Sequence, residues 1–219
     1  MGPRALRALA PADVITAVNA VIGFVAVVVA FRDPSLAARL ILLAAIADAL
    51  DGIVARKWGG SEVGPYLDSL ADVASFGVAP AAMVVGLGGG PLPLALGGAF
   101  VGAAVLRLAL YTAYDTDQPY TQGVQTTLAA TILAAGLLAG VPPLALSLGL
   151  GAFAALMLAE WAYPDLRVRD ALLMGGIQTL AIGVPRAVDA LFPTVLLAWA
   201  LAYLLLAPRY YSGPEGKRS

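Results

Sequence analysis

Long apolar segments alternate with short polar breaks along the whole chain. Most of the segments reach the 17–25 residues, roughly, that a helix needs to cross a bilayer. Glycine-rich and proline-containing sequences mark the breaks between them. The pattern predicts eight spans, at 14–31, 36–57, 65–87, 92–114, 122–140, 143–161, 171–185 and 190–207.

Composition agrees with a membrane protein rather than a soluble one. The chain has 219 residues, of which 60% are hydrophobic and 12% are charged, whereas a soluble domain has about 25% charged residues. Mean hydropathy is +0.86. We therefore predict an all-α, polytopic bundle of about eight transmembrane helices in a single membrane domain over 1–219.

Parts of this domain are expected to differ in role. The helices of 14–140 carry the polar residues discussed below, and 143–207 adds further helices. Residues 1–12 are predicted to form a short helix on the membrane surface, although a frayed basic N-terminus explains them equally well. The tail, 208–219, is expected to be flexible.

The basic residues predict the orientation of the bundle, because cytoplasmic loops carry more Lys and Arg than outer loops. With the N-terminus inside, three basic residues fall outside: Arg32, Arg39 and Arg186. The other ten fall inside: Arg4, Arg7, Arg56, Lys57, Arg107, Arg167, Arg169, Arg209, Lys217 and Arg218. Both termini and the second loop are then cytoplasmic.

Two missing residue types limit the chemistry. The chain has no His and no Cys, so it lacks the commonest general base and thiolate ligands. Acid–base work would fall to carboxylates, Lys, Tyr or water. A metal held by carboxylates alone is expected to be a hard cation such as Mg²⁺, Mn²⁺ or Ca²⁺.

Four carboxylates flank the second loop: Asp48, Asp51, Asp68 and Asp72. Spacings of three and four residues place each pair on one helix face, and the short loop 57–63 would pack the two helices as antiparallel neighbours. Four anions in a cleft of low dielectric repel each other unless they are neutralised, most simply by one or two divalent cations. Small residues on the same faces leave room for a bulky ligand: Gly52, Ala55 and Gly64.

Two other interpretations would also explain the acids. Arg56 and Lys57 could form ion pairs with two of them. Alternatively, the four acids could form the ion site of a cation transporter. That reading predicts acids near the middle of the membrane on broken helices, whereas these acids flank a predicted cytoplasmic loop.

The arrangement Asp48-x2-Asp51-Gly52-x2-Ala55-Arg56, followed by Gly64-x3-Asp68-x3-Asp72, resembles the signature of the CDP-alcohol phosphatidyltransferase family. Members are integral membrane enzymes in which an incoming hydroxyl displaces CMP from a CDP-linked lipid or CDP-alcohol, with the help of a divalent metal.

Two further motifs are similar to the phosphatidylserine synthase branch of that family. One is the run from Ser75 to Pro80, SFGVAP, after the last Asp, and the other is Thr16-x2-Asn19-x3-Gly23. The branch implies transfer of a phosphatidyl group from a CDP-linked lipid to the hydroxyl of L-serine. The composition also fits an archaeal member that makes archaetidylserine from CDP-archaeol.

The resemblance implies roles for individual residues. Asp48, Asp51, Asp68 and Asp72 would bind Mg²⁺ or Mn²⁺, two ions per active site. Asp72 would also accept the serine proton, since no His is available. The CDP-lipid would be bound by Gly52, Ala55, Arg56, Gly64 and Asn19, although Asn19 could instead make an interhelical hydrogen bond.

Three residues are candidates for binding the acceptor: Arg107, Ser75 and Gln125. Arg107 could bind the serine carboxylate or a lipid phosphate. Alternatively, it could lie at the membrane interface or pair with Asp115 or Asp117. Ser75 could equally bond to its own helix. Glu160 is interpreted as part of a solvated loop.

Other acceptors keep the chemistry and change the substrate. Glycerol 3-phosphate and inositol phosphate carry an extra phosphate and would require an additional basic cluster, of which the chain shows little. The expected partners are therefore a CDP-linked lipid, L-serine and the bilayer, with no nucleic acid. The resemblance also implies a homodimer. The distribution of basic residues predicts an active site that faces the cytoplasm, in the cytoplasmic membrane.

Overall fold

Helices form most of residues 9–115, 120–164 and 168–210, the part of the chain that the computed structural model describes. The α-helices are α1 (Pro11–Ala30), α2 (Pro34–Trp58), α3 (Gly64–Asp72), α4 (Ala79–Gly86), α5 (Pro91–Leu110), α6 (Thr126–Leu138), α7 (Pro143–Met157), α8 (Val168–Gly183) and α9 (Leu191–Tyr210). A π-helical segment, Val73–Val78, joins α3 to α4, and a second, Tyr111–Asp115, extends α5. The predicted all-α class is confirmed.

Each of the eight predicted apolar segments coincides with one helix or one continuous helical run. In the described part of the chain, three runs are long and apolar enough to cross a membrane: Pro11–Ala30, Gly64–Gly86 and Pro91–Tyr114. Four shorter apolar helices match the last four predicted spans. The remaining span is α2, whose second half carries the charged residues of the signature.

The fifth predicted span begins too early and the sixth ends too late. Residues Tyr120–Gln122 and Ala162–Pro164 instead pair as two short antiparallel strands, β1 and β2. The backbone amide of Gly123 donates to the carbonyl of Trp161 at 2.9 Å, which continues this pairing. Hydropathy alone cannot separate a strand from the end of an apolar helix in such a sequence.

Gly123 allows the chain to pass close to the end of α7. Its φ is +74°, a conformation that favours glycine. A Cβ at this position would collide with the carbonyl oxygen of Met157. The link between β1 and α6 therefore packs directly on the last turn of α7.

The ends of the chain differ partly from prediction. Residues 1–8 and 211–219 lie outside the described residues, as do most of the predicted surface helix and tail. Residues 9–10 are not helical, and α1 begins at Pro11. Helix α9 continues to Tyr210, whereas a tail was expected from 208.

Local sequence explains where α2 begins and ends. Asp33 caps its N-terminus by accepting a hydrogen bond from the amide of Leu36 at 2.9 Å, and Pro34 occupies the first helical position, which suits its fixed φ. Gly59 follows the last turn with a φ of +87°. This stop lets the chain reverse within five residues before α3 begins at Gly64.

Small side chains let the helices approach closely. The buried apolar cluster is rich in alanine and connects α1, α2 and α4–α9. Helix α1 packs on α2, α3, α4 and the first π-helical segment, and α2 also packs on α6 and α8. This packing places the start of α1 beside the end of α2 and the start of α3, where the signature acids lie.

Candidate active site

Three of the four predicted carboxylates converge at one point. Asp48 of α2 and Asp68 and Asp72 of α3 each offer an oxygen, and these oxygens all lie within 4.8 Å of one another. Asp72 is buried, with 6% of its surface exposed. Helices α2 and α3 both pack on α1 and make little direct contact with each other, so the predicted antiparallel packing of the two helices is wrong, although their acids converge as predicted.

Asp51 lies beside this group and is held by helix α1. The Thr16 hydroxyl donates to its Oδ2 at 2.8 Å, and both residues are buried. Electrostatic repulsion links Asp51 to Asp48 and Asp68. All four acids therefore share one site, with Asp51 at the edge nearest α1.

Asp13 is a fifth acid near this site, and sequence reasoning missed it. It is buried, and its Oδ2 accepts a hydrogen bond from the amide of Ala10 at 2.6 Å. This bond anchors the first turn of α1, where a negative charge is favourable. A Cβ on Gly64 would lie 3.4 Å from its Oδ1, so Asp13 faces the start of α3.

A period of three in α1 could have revealed this face. Asp13, Thr16 and Asn19 follow one another at intervals of three residues and lie on one side of the helix. All three are buried in an otherwise apolar span. Polar residues that repeat along one face of an apolar helix indicate a side turned toward other polar groups.

Arg56 folds back over Gly52, one turn before it on α2. A Cβ added to Gly52 would lie 3.3 Å from a guanidinium nitrogen of Arg56. Ala55 lies near Gly60 of the loop, since a Cβ added to Gly60 would be 3.9 Å from the Ala55 Cβ. Gly52 therefore provides space for the guanidinium itself, while Gly64 provides space beside Asp13.

The predicted ion-pair alternative is not found. Lys57 lies over the ring of Trp58, with its ammonium 4.8 Å from the ring centre. Within the described residues, neither Arg56 nor Lys57 forms an ion pair with a signature acid. The basic group with an electrostatic interaction at Asp72 is instead Arg107 of α5.

Asn19 and Ser75 meet where α1 crosses the first π-helical segment. The Ser75 hydroxyl donates to the backbone carbonyl of Asn19 at 2.9 Å, and both residues are fully buried. Ser75 thus bonds to a neighbouring helix rather than to its own. The side-chain amide of Asn19 has no hydrogen-bond partner among the described residues.

Helix α6 also contributes to the site. Thr127 in its first turn lies close enough to Asp48 for a side-chain hydrogen bond. Gln125 precedes this turn as the N-cap residue, is partly buried, and makes no side-chain hydrogen bond within the described residues. The sequence motif pointed to Gln125, whereas the structure brings Thr127 to the acids.

Arg107 connects the acids to a neighbouring cavity. Its side chain is 6% exposed and lies over the ring of Tyr111, 5.8 Å from the ring centre. It interacts with Asp72 on one side. On the other side it lines a cavity of about 300 Å³.

The cavity is lined by polar as well as apolar residues. Arg107, Tyr111, Tyr114 and Gln122 line it together with Glu160, which is exposed, as a solvated loop predicts. The pairing of β1 with β2 brings Gln122 and Glu160 to the end of α5. A positive and a negative group therefore face one small cavity beside Asp72.

Asp72 and Arg107 each precede a π-helical segment. Val73–Val78 follows Asp72 directly, and Tyr111–Asp115 begins four residues after Arg107. The hydroxyls of Ser69 and Thr112 form a hydrogen bond that joins α3 to the second segment. Such segments change the direction of side chains within a helix and are frequent at functional sites.

The donor set fits hard divalent cations. The converging ligands are carboxylate oxygens alone, which Mg²⁺ and Mn²⁺ prefer. The Oδ1 atom of Asp72 is buried without a hydrogen-bond partner among the described residues. A buried acceptor left without a partner is costly, and a bound cation would satisfy it.

Curated proteins similar to this chain carry names of one kind. The archaetidylserine synthase of Methanothermobacter thermautotrophicus is 44% identical over 77 residues, which cover 33% of each chain. The CDP-diacylglycerol–serine O-phosphatidyltransferase of Methanocaldococcus jannaschii is 46% identical over 70 residues, or 32% of each chain. That of Saccharomyces cerevisiae is 44% identical over 92 residues, 38% of this chain and 33% of its own.

These matched segments thus cover about a third of each relative's length. A much longer match comes from the family model described as CDP-alcohol phosphatidyltransferase, which covers residues 9–210. That range includes the nine α-helices found in the described residues, the four signature acids and Arg107. The chain therefore belongs to the CDP-alcohol phosphatidyltransferase family.

Proposed function

We propose that this protein transfers the phosphatidyl or archaetidyl group of a CDP-linked lipid to the hydroxyl of L-serine and releases CMP. The observation that carries the proposal is the convergence of Asp48, Asp68 and Asp72 within 4.8 Å, beside a cavity that Arg107 lines. The family and the names of its similar relatives support this reaction.

Asp48, Asp51, Asp68 and Asp72 would hold the divalent cations that this family uses, and we propose two Mg²⁺ or Mn²⁺ ions. When bound, such ions offset the charge of the pyrophosphate and of the transition state. Thr16 orients Asp51 through a hydrogen bond, and Thr127 is placed to orient Asp48 in the same way. Ligands held in this way bind metal more tightly than free side chains do.

The CDP-lipid would lie along the face of α2 and α3 that carries small residues. Arg56, folded over Gly52, is placed to bind a phosphate of the CDP group. Gly64 and Ala55 leave space for the cytidine. The unpaired amide of Asn19 offers both a donor and an acceptor to a polar group of the substrate.

L-serine would occupy the cavity beside Arg107. Its carboxylate would bind the guanidinium, and its ammonium group would face Glu160 and the rings of Tyr111 and Tyr114. The phosphate of glycerol 3-phosphate or inositol phosphate would meet Glu160 instead, and like charges repel. Glu160, the acid among the residues that line this cavity, therefore favours a zwitterionic acceptor.

The reaction requires one proton transfer and one displacement. The serine hydroxyl oxygen forms a bond to the lipid-linked phosphorus, and the bond from that phosphorus to the oxygen of CMP breaks. Asp72 would accept the hydroxyl proton, because its position between the acids and Arg107 borders both substrate sites. Burial of Asp72 keeps competing water away from the reacting groups.

We further propose that the protein is a homodimer in the cytoplasmic membrane. The predicted excess of basic residues at the end of the bundle that carries the acids supports an active site that faces the cytoplasm. The lipid tails would then extend sideways into the bilayer from the face of α2 and α3.

Release of CMP from a CDP-linked lipid tests the proposal. Purified protein would be given Mg²⁺ or Mn²⁺ and one acceptor at a time: L-serine, glycerol 3-phosphate or inositol phosphate. We expect release with serine and only background release with the phosphorylated acceptors. Release with glycerol 3-phosphate but not with serine would overturn the acceptor, and no release with any of the three would overturn the reaction.

A further inference from the structure

A second polar cavity lies far from the signature acids. It encloses about 420 Å³ between the start of α2 and the link from α8 to α9. Asp33, Ser35 and Arg39 line it from one side, and Pro185 and Arg186 from the other. Fifteen residues of helix separate Asp33 from Asp48, which places the cavity about 22 Å from the acids along α2.

The walls of this cavity are fixed by hydrogen bonds. The Asp33 carboxylate accepts from the Leu36 amide at 2.9 Å and holds the first turn of α2. The side-chain amide of Gln178, on α8, donates to the carbonyl of Leu42 at 2.6 Å and is buried. This bond holds α8 against α2, so the residues that follow α8 stay beside the start of α2.

The charge in the cavity is positive and incompletely paired. Arg39 and Arg186 are opposed by one lining acid, Asp33, one of whose oxygens already accepts from a helix amide. Neither arginine forms an ion pair with a carboxylate of the described residues. The Nε of Arg39 is buried without an acceptor in that part of the chain.

These features suit a phosphate group. A guanidinium presents several N–H donors in a flat fork that matches two phosphate oxygens. A phosphate oxygen would supply the acceptor that the buried Nε of Arg39 lacks. Exposed apolar side chains surround this end of the bundle, namely Phe31, Val184, Val188 and Leu191, as expected where helices meet lipid.

We propose that this cavity binds a phosphate group at the end of the bundle opposite the active site. The chemistry admits two sources, the headgroup of an anionic phospholipid and free phosphate. The site takes no part in the proposed reaction, so it stands whether or not serine is the acceptor. A bound headgroup would hold the α1–α2 turn and the α8–α9 link together.

Thermal unfolding of the full chain in a neutral detergent tests this proposal. Tm would be followed during titration with phosphatidylglycerol, with diacylglycerol of the same acyl chains, or with inorganic phosphate. Excess EDTA would keep the carboxylate site from holding phosphate through a metal. Diacylglycerol lacks the phosphate, so it separates headgroup binding from binding of the tails.

Three arginine variants test whether phosphate binding depends on the residues that line the cavity. Arg186→Ala and Arg39→Gln each remove one side of the cavity, while Arg32→Ala removes an exposed charge from the same end of the bundle that does not line it. We expect phosphatidylglycerol to raise Tm of the wild type and of Arg32→Ala. The apparent Kd should rise at least about tenfold in the other two variants.

The results distinguish binding of a phospholipid headgroup from binding of free phosphate, and both from binding outside the cavity. A Tm increase with inorganic phosphate that shows the same dependence on the two arginines would assign the site to the free anion. Equal responses of all three variants to phosphatidylglycerol, or equal responses to diacylglycerol and phosphatidylglycerol, would overturn the proposal. Arg186 is exposed, so Arg186→Ala carries the test even where Arg39→Gln unfolds.

Discussion

Buried polar side chains in α1–α3 differ in kind from those in α7–α8. In the later helices, the Ser147 hydroxyl donates to the Pro143 carbonyl at 2.8 Å and Gln178 donates to Leu42 at 2.6 Å. In the earlier helices, the buried Asp72 and Asn19 keep side-chain atoms without partners among the described residues.

The buried polar groups that have partners stabilise helix packing, whereas those without partners are placed to bind a ligand. A backbone carbonyl satisfies a buried donor within the protein, so nothing further is required. A buried acid without a partner is costly in the absence of a ligand. Around the signature acids a bound cation or substrate would offset this cost, as a bound phosphate would at the buried Nε of Arg39.

The largest effect is expected from Asp72→Asn. Loss of the proposed base and of one metal ligand should lower the rate of CMP release by about 1,000-fold or more. Asn has nearly the same size as Asp and loses a destabilising negative charge, so Tm should not fall. Asp189→Asn is the matched control, since Asp189 is exposed at the other end of the bundle with a φ of +52° that Asn also tolerates.

Near-normal turnover in Asp72→Asn would remove Asp72 from the role of base. The Asp189→Asn control should turn over at the wild-type rate. That result would show that loss of an acid elsewhere in the protein does not lower the rate of CMP release.

A smaller effect is expected from Arg107→Lys, which keeps the charge and loses the flat fork of donors. The loss of a charge-assisted hydrogen bond of about 1.5–3 kcal/mol should raise KM for serine by roughly tenfold to a hundredfold. KM for the CDP-linked lipid should change little. Equal increases in KM for serine and in KM for the CDP-linked lipid would mean that Arg107 does not bind the acceptor.

Thr16→Val should have a still smaller effect. It removes the hydroxyl that donates to Asp51 and keeps the shape of the side chain. Loss of a bond to a metal ligand costs about tenfold or more in metal affinity, so a higher Mn²⁺ concentration should be needed for half-maximal activity. An unchanged Mn²⁺ requirement would separate Asp51 from the metal site.

Gln178→Met should leave the reaction unchanged and affect stability alone. The variant loses the hydrogen bond to Leu42 and fills about the same volume, so the free energy of unfolding should fall by roughly 1 kcal/mol. Activity for each folded molecule is expected to equal that of the wild type. A fall in that activity at unchanged Tm would contradict the division between the two regions.

Much of this arrangement was predictable from the sequence. Apolar length and Pro or Gly breaks predicted the helices, because a backbone in lipid must bond within its own helix. The spacing of Asp48, Asp51, Asp68 and Asp72 predicted their convergence, since helical geometry fixes which residues share a face. The residue pattern also favoured a hard metal.

Long-range contacts were not predictable in the same way. The pairing of β1 with β2 joins segments about forty residues apart, and together with the packing of α5 on α7 it places Gln122 and Glu160 near Arg107. The contact of Thr127 with Asp48 depends on how α6 packs against α2. No local pattern encodes such packing, whereas the face of α1 that carries Asp13 was present in the sequence and overlooked.

The most direct test of the account is whether the converging carboxylates bind a divalent cation. Electron paramagnetic resonance would follow Mn²⁺ binding to purified wild-type protein, to Asp68→Asn and to the Asp189→Asn control, without any substrate. The account predicts bound Mn²⁺ in the wild type and the control, and binding at least about tenfold weaker in Asp68→Asn. Equal Mn²⁺ affinity in all three proteins would contradict it.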